Sequence, residues 1–128
     1  MKKILVVEDE LTLREGIVTA FRERDWSVDE AGDVPDAQTK LEAQGYDVVV
    51  TDVRMPGGTG IDVLRRAKMI SEATAVVMMT AFGAPEMTKG ALDLGAYRVV
   101  NKPFDMRSVE PLILEAHSSR RPALPRAT

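Results

Sequence analysis

The chain has 128 residues, of which 45% are hydrophobic and 29% charged, with a formal net charge of −3. That length suits one domain with a core of its own. The absence of cysteine excludes a disulfide scaffold, a thiolate metal site and a cysteine nucleophile, and a single histidine excludes a paired-histidine zinc site.

In chain order, Met1-Lys2-Lys3 leads into only four apolar residues before Glu8, too short for a signal peptide. Lys3 to Val7 reads as a buried strand. Leu13, Ile17, Ala20 and Phe21 follow at helical spacing, behind a capping-box pattern at Thr12 and Glu15. Trp26 to Asp29 is a weaker strand. Asp33 to Gln44 reads as a helix, with Pro35 in its first turn and Gly45 past its end. Tyr46 to Thr51 is the strongest strand, Gly57-Gly58 a loop, and Ile61 to Ile70 a helix. Ala75 to Met79 is a further strand, Pro85 to Leu94 a helix closed by Gly95, and Tyr97 to Val100 a fifth strand. Asp105 to His117 is a last helix. The segment 118–128 holds Arg120, Arg121 and Arg126 and no acid, so residues 1–117 carry −6. With Pro122 and Pro125, that segment reads as a basic linker or tail. An acidic body is a poor non-specific binder of nucleic acid. No apolar run approaches the roughly 20 residues of a membrane helix. A cytoplasmic protein, bound to neither membrane nor nucleic acid, is expected.

Five repeats of strand then helix, with several strands apolar on both faces, predict an α/β fold: a doubly wound, five-stranded parallel sheet covered by helices on both sides. In such sheets ligands bind beyond the carboxyl ends of the strands. Those ends carry Glu8-Asp9, Asp52, Thr80 and Asn101-Lys102-Pro103. Three carboxylates on one rim repel unless they are neutralised, and oxygen ligands favour magnesium, Mg2+. A carboxylate beside the ion can attack phosphorus, with a hydroxyl and an ammonium stabilising the transferred oxygens.

These residues resemble the receiver domain of two-component response regulators. The motifs are Ile4-Leu5-Val6-Val7-Glu8-Asp9-Glu10, Thr51-Asp52-Val53-Arg54-Met55-Pro56-Gly57, Met79-Thr80-Ala81 and Asn101-Lys102-Pro103-Phe104, in order over residues 1 to about 117. The flavour is closest to receivers of bacterial enhancer-binding transcription activators. The resemblance implies a flavodoxin-like sheet, Asp52 as phosphoacceptor, and Asp9 as direct magnesium ligand. Glu8 would act through water, and the Arg54 carbonyl would complete the ligands. Thr80 and Lys102 would bind the phosphoryl group, with a cis Lys102–Pro103 bond aiming the lysine. The implied partners are a sensor histidine kinase and an output domain or downstream protein. A homodimer through the face of the fourth helix, fifth predicted strand and fifth helix is also implied. An output module would require that this chain is part of a longer one.

The chain departs from that pattern at two places. Val99 stands where the family usually has an aromatic switch residue, and Tyr97, two positions away, is expected on the same face. Pro111 falls within the last predicted helix, so a late start at Ser108 or a kink is expected there. Bland readings suit the remaining candidates. Met78-Met79 reads as core, Trp26 as half-buried packing, and His117 as a helix-end charge or bystander. Phe82 divides between loop packing and shielding of an acyl phosphate.

Three functions compete. The first is a self-phosphorylating and self-dephosphorylating switch, a signalling phosphoacceptor rather than an enzyme. The second, motivated by Val99, is a phosphorylation-independent interaction module. The third is an aspartate-nucleophile phosphatase, which needs an acid two residues after the nucleophile, where this chain has Arg54.

Overall fold

The computed structural model describes residues 2–81 and 85–119; Phe82 and residues 120–128, including Arg120 and Arg121, lie outside it. The strands are β1 (Lys3–Val7), β2 (Ser27–Ala31), β3 (Val48–Asp52), β4 (Arg54–Met55), β5 (Gly58–Thr59), β6 (Ala75–Thr80) and β7 (Arg98–Asn101). The helices are α1 (Leu11–Arg22), α2 (Val34–Ala43), α3 (Gly60–Ile70), α4 (Pro85–Asp93) and α5 (Met106–Ser119). The main sheet runs β2-β1-β3-β6-β7, parallel throughout. The chain starts near the middle, steps outward to β2, then reverses to β3 on the other side of β1. The β1/β3 boundary is therefore the switch point, where both flanking crossovers turn away and leave a crevice.

The period-2 alternation of the central strands sorts their side chains into two cores. Leu5, Val7, Val49, Val76 and Met78 meet Ala37 and Leu41 of α2, Val63, Leu64 and Ala67 of α3, and Ala91 of α4. Ile4, Val6, Val48, Val50, Val77 and Met79 meet Ile17, Val18 and Phe21 of α1 and Val109, Ile113 and Ala116 of α5. Met78 and Met79 thus fill opposite cores, as expected. Trp26 is buried rather than half-buried. Its ring meets Phe21 and His117 edge-on at 5.4 and 5.5 Å, and Lys2 Nζ lies 5.3 Å from its centroid.

Local signals and structure differ at four places. Glu10, not Thr12, caps α1: its carboxylate accepts from the Leu13 N–H at 2.6 Å, which leaves Thr12 and Glu15 inside the helix. The expected Gly57-Gly58 loop is part of the β4–β5 hairpin: Pro56-Gly57 make the turn, with Gly57 at φ +80°, and Gly58 pairs with Met55 in β5. Tyr97 precedes β7 and packs with the α1/α5 core, whereas Val99 packs with the α2/α3/α4 core, so the two do not share a face. Strand alternation does not extend to Tyr97, because it lies outside the strand, and its hydroxyl donates to Glu115 of α5 at 2.6 Å. Finally, α5 does not start late. Asp105 accepts from the Arg107 N–H at 2.8 Å and its carbonyl accepts from the Val109 N–H at 3.1 Å, which starts the helix at Met106 with Pro111 inside it.

Pro111 has no N–H for the Arg107 carbonyl four residues earlier, and an interior proline costs about 3 kcal/mol relative to alanine. Pro111 is exposed, so no packing is lost on replacing it. Pro111→Ala is expected to stabilise the protein by about 1–3 kcal/mol, read as a higher urea midpoint. A midpoint that is unchanged or lower would refute this account of α5.

Candidate functional site at the carboxyl edge

The two apolar strands that flank the switch point each end in acid. β1 runs buried from Ile4 to Val7 and delivers Glu8, also fully buried, then exposed Asp9. β3 is buried throughout and ends in Asp52, which is 8% exposed. Because β1 and β3 pair in register, Val7 against Thr51, their acids emerge together. Carboxylate oxygens of Glu8, Asp9 and Asp52 all lie within 4.8 Å of one another.

Lys102 crosses to them from β7, beyond the end of β6. Its N–H donates to the Thr80 carbonyl at 2.7 Å, and the Lys102–Pro103 bond is cis. Its Nζ donates to Glu8 Oε1 and Asp52 Oδ2, each at 2.7 Å. Glu8 Oε2 accepts from the Glu10 N–H at 3.0 Å, and Asp52 Oδ1 from the Arg54 N–H at 3.3 Å. Thr80 is buried at the end of β6, one residue beyond Met79, the partner of Asp52 across the ladder. Five of the six candidate side chains, Glu8, Asp9, Asp52, Thr80 and Lys102, therefore stand at one edge. Arg54 contributes its backbone there.

Burial pushes the Glu8 carboxyl above its usual value, and the Asp52 charge adds to this against the pull of Lys102 and the Glu10 N–H. For Lys102, burial works against the ammonium, but the hydrogen bonds and charges of Asp52 and Glu8 outweigh it and raise the group above 10.5. The lysine is thus held charged by its partners, while the cluster retains an excess of negative charge. Three hard oxygen donors of that kind, two on buried backbone-anchored acids and one exposed, fit magnesium.

One residue escaped the sequence reading. A Cβ on Gly60 would stand 2.1 Å from the Asp52 carbonyl oxygen and 2.9 Å from Met78 Cε. The Gly60 N–H donates to the Val53 carbonyl at 2.7 Å, so the start of α3 is pressed against the end of β3. The only local signal was a glycine at a helix start, where glycine is otherwise a poor choice.

Two outcomes are expected. Lys102→Met leaves two largely buried carboxylates without their counter-charge and should destabilise by about 3–5 kcal/mol near neutral pH. Glu8 already titrates above its usual value in the folded chain, and losing Lys102 removes two influences that lower it, so over a pH window above 4.5 the folded variant binds an extra proton that the unaltered chain does not. The deficit should therefore shrink as pH falls through that window, and also on adding magnesium, in urea titrations. A deficit independent of both would refute the electrostatic account. Gly60→Ala should cost about 1–3 kcal/mol by overpacking and shift the Asp52 and Val53 amide resonances; unchanged resonances would count against the close approach.

Residues 4–113 match the family model described as the response regulator receiver domain. The chain is 30% identical over 112 residues to sporulation initiation phosphotransferase F of Bacillus subtilis, covering 88% of this chain and 90% of that protein. It is 30% identical over 121 residues to the response regulator protein PilR of Pseudomonas aeruginosa, covering 94% of this chain but 27% of PilR. Its structure superimposes on the non-phosphorylated HemR receiver domain from Leptospira biflexa with a TM-score of 0.87 and 27% identity, covering 97% of this chain and all of that one. Sequence, sheet order and the acid cluster at the switch point agree, and the chain belongs to the response regulator receiver domains of two-component systems.

Proposed function

We propose that this receiver takes a phosphoryl group from a sensor histidine kinase onto Asp52 and catalyses both that transfer and the later hydrolysis. The observation that carries this reading is the bond pair from Lys102 Nζ to Glu8 and Asp52, set beside a third carboxylate at the switch point. Glu8, Asp9, Asp52 and the backbone carbonyl of Arg54 would hold magnesium, which when bound neutralises charge between the attacking carboxylate and the phosphoryl oxygens.

In the transfer an Asp52 carboxylate oxygen attacks phosphorus in line. The new O–P bond forms as the N–P bond to the kinase imidazole breaks, and the imidazole departs with that electron pair. Lys102 gives up its bond to Asp52 and pairs with the phosphoryl oxygens, for which its charge suits it. Thr80, at the adjoining strand end, supplies a hydroxyl to the same oxygens. The added negative charge then shifts the conformational balance. The readout is partner binding or dimerisation through the face of α4, β7 and α5, with cytoplasmic signalling as the setting. The intact acid cluster and its lysine favour this reading over a phosphorylation-independent module, which would have no use for buried charge. A transcriptional output would require a further module.

Intact-mass measurement after incubation with magnesium and a small-molecule phosphodonor is the test. One phosphoryl group should be gained, and none with Asp52→Asn or with chelator present. No gain by the folded protein would reject the phosphoacceptor reading and leave an interaction module.

A further inference from the structure

Among the described residues the Asp9 carboxylate has no hydrogen-bond or ion-pair partner, so what aims it there is its backbone. Among the same residues, one side chain holds the peptide that carries it. Arg14, one turn into α1, donates from Nη1 to the Glu8 carbonyl at 2.9 Å and from Nε to Glu30 Oε1 of β2 at 2.9 Å. Arg14 is largely buried and Glu30 only half so. The Glu8 N–H in turn donates to the Ala31 carbonyl of β2 at 3.0 Å. Both ends of residue 8 are therefore tied to the end of β2, one directly and one through Arg14.

Gly32 supports the same reading. Its φ is not in the left-handed region, so the backbone does not demand glycine there. A Cβ at that position would instead stand 3.0 Å from Arg14 Nη1. The missing side chain makes room for the guanidinium. Glu30 is itself steadied, because its backbone carbonyl accepts from Lys40 Nζ of α2.

We infer that Arg14, anchored by Glu30 and accommodated by Gly32, is a positioning residue that fixes the Glu8–Asp9 peptide so that Asp9 points into the cation site. This rests on the magnesium reading above. Arg14 touches no carboxylate of the cluster and transfers nothing; it acts by orientation. A planar donor with two separated N–H groups suits that task, and a lysine ammonium does not.

The inference is separable from an effect of charge. If Arg14 mattered only as a nearby positive charge, its removal would tighten cation binding. If it orients Asp9, removal weakens it. Outer partners of metal ligands are worth about 10- to 100-fold in affinity, and loss of Arg14 is expected at the lower end.

The experiment titrates magnesium chloride into the full chain by calorimetry, beside urea unfolding in chelator. Arg14→Met and Arg14→Lys should both bind magnesium about tenfold more weakly. Gly32→Ala, which only crowds the guanidinium, should fall between them and the unaltered chain. Arg22→Met is the structural control. Its guanidinium reaches the Val28 carbonyl of β2 at 3.4 Å from the other end of α1, away from the acids. It should change the urea midpoint and leave magnesium affinity alone. Affinity that is unchanged or tighter in Arg14→Met, or lowered equally in Arg22→Met, would overturn the inference. An unaltered chain that binds no magnesium would overturn the cation reading itself, and the inference with it.

Discussion

The Lys102 ammonium, bonded at 2.7 Å to both Glu8 and Asp52, is the interaction on which the rest of this molecule is organised. Glu8 is fully buried at the end of a strand whose preceding four residues are equally buried. A carboxylate in that position is unfavourable unless a charge and hydrogen bonds compensate for the lost water. The compensation comes from a residue 94 positions away in the chain. It depends on β6 and β7 pairing in register, on the Lys102 N–H held by Thr80, and on α5 closing the sheet behind it.

The arrangement leaves the site undersupplied with positive charge. One ammonium serves two carboxylates, and a third lies exposed beside them. Such a cluster gains from a cation. A further charge placed on Asp52 would act on the ends of β1, β3 and β7 together, because Lys102 joins Asp52 to Glu8.

The opposite margin, around β7, is built differently. Val99 is partly buried with the α2/α3/α4 core, while Tyr97 lies over the other core and is bonded through its hydroxyl to Glu115. Arg98 lies 3.4 Å from the same glutamate, so its charge is shared rather than free. At position 99 this face carries valine in place of an aromatic ring.

The amino-acid sequence by itself determined the strands at the centre of the sheet, because three valines in a row, or Ala75 to Met79, can be satisfied only by burial on both faces; the short β4–β5 hairpin left no such trace. It also marked where those strands end, since the apolar runs stop at Glu8-Asp9 and at Asp52; Thr80 and Lys102 were legible by their place in the same strand order and in the resembling motifs. Only the tertiary structure decided the relations among distant segments. It placed Gly60 against the Asp52 carbonyl, seated Arg14 between Glu8 and Glu30, separated Tyr97 from Val99, and gave the cap of α1 to Glu10 over Thr12. The last case shows the reason most plainly. The local pattern pointed to Thr12, and the cap went instead to Glu10, which the end of β1 delivers to the start of the helix. Local pattern reports what a residue prefers; which neighbour it meets depends on the register and packing of strands far away in the chain.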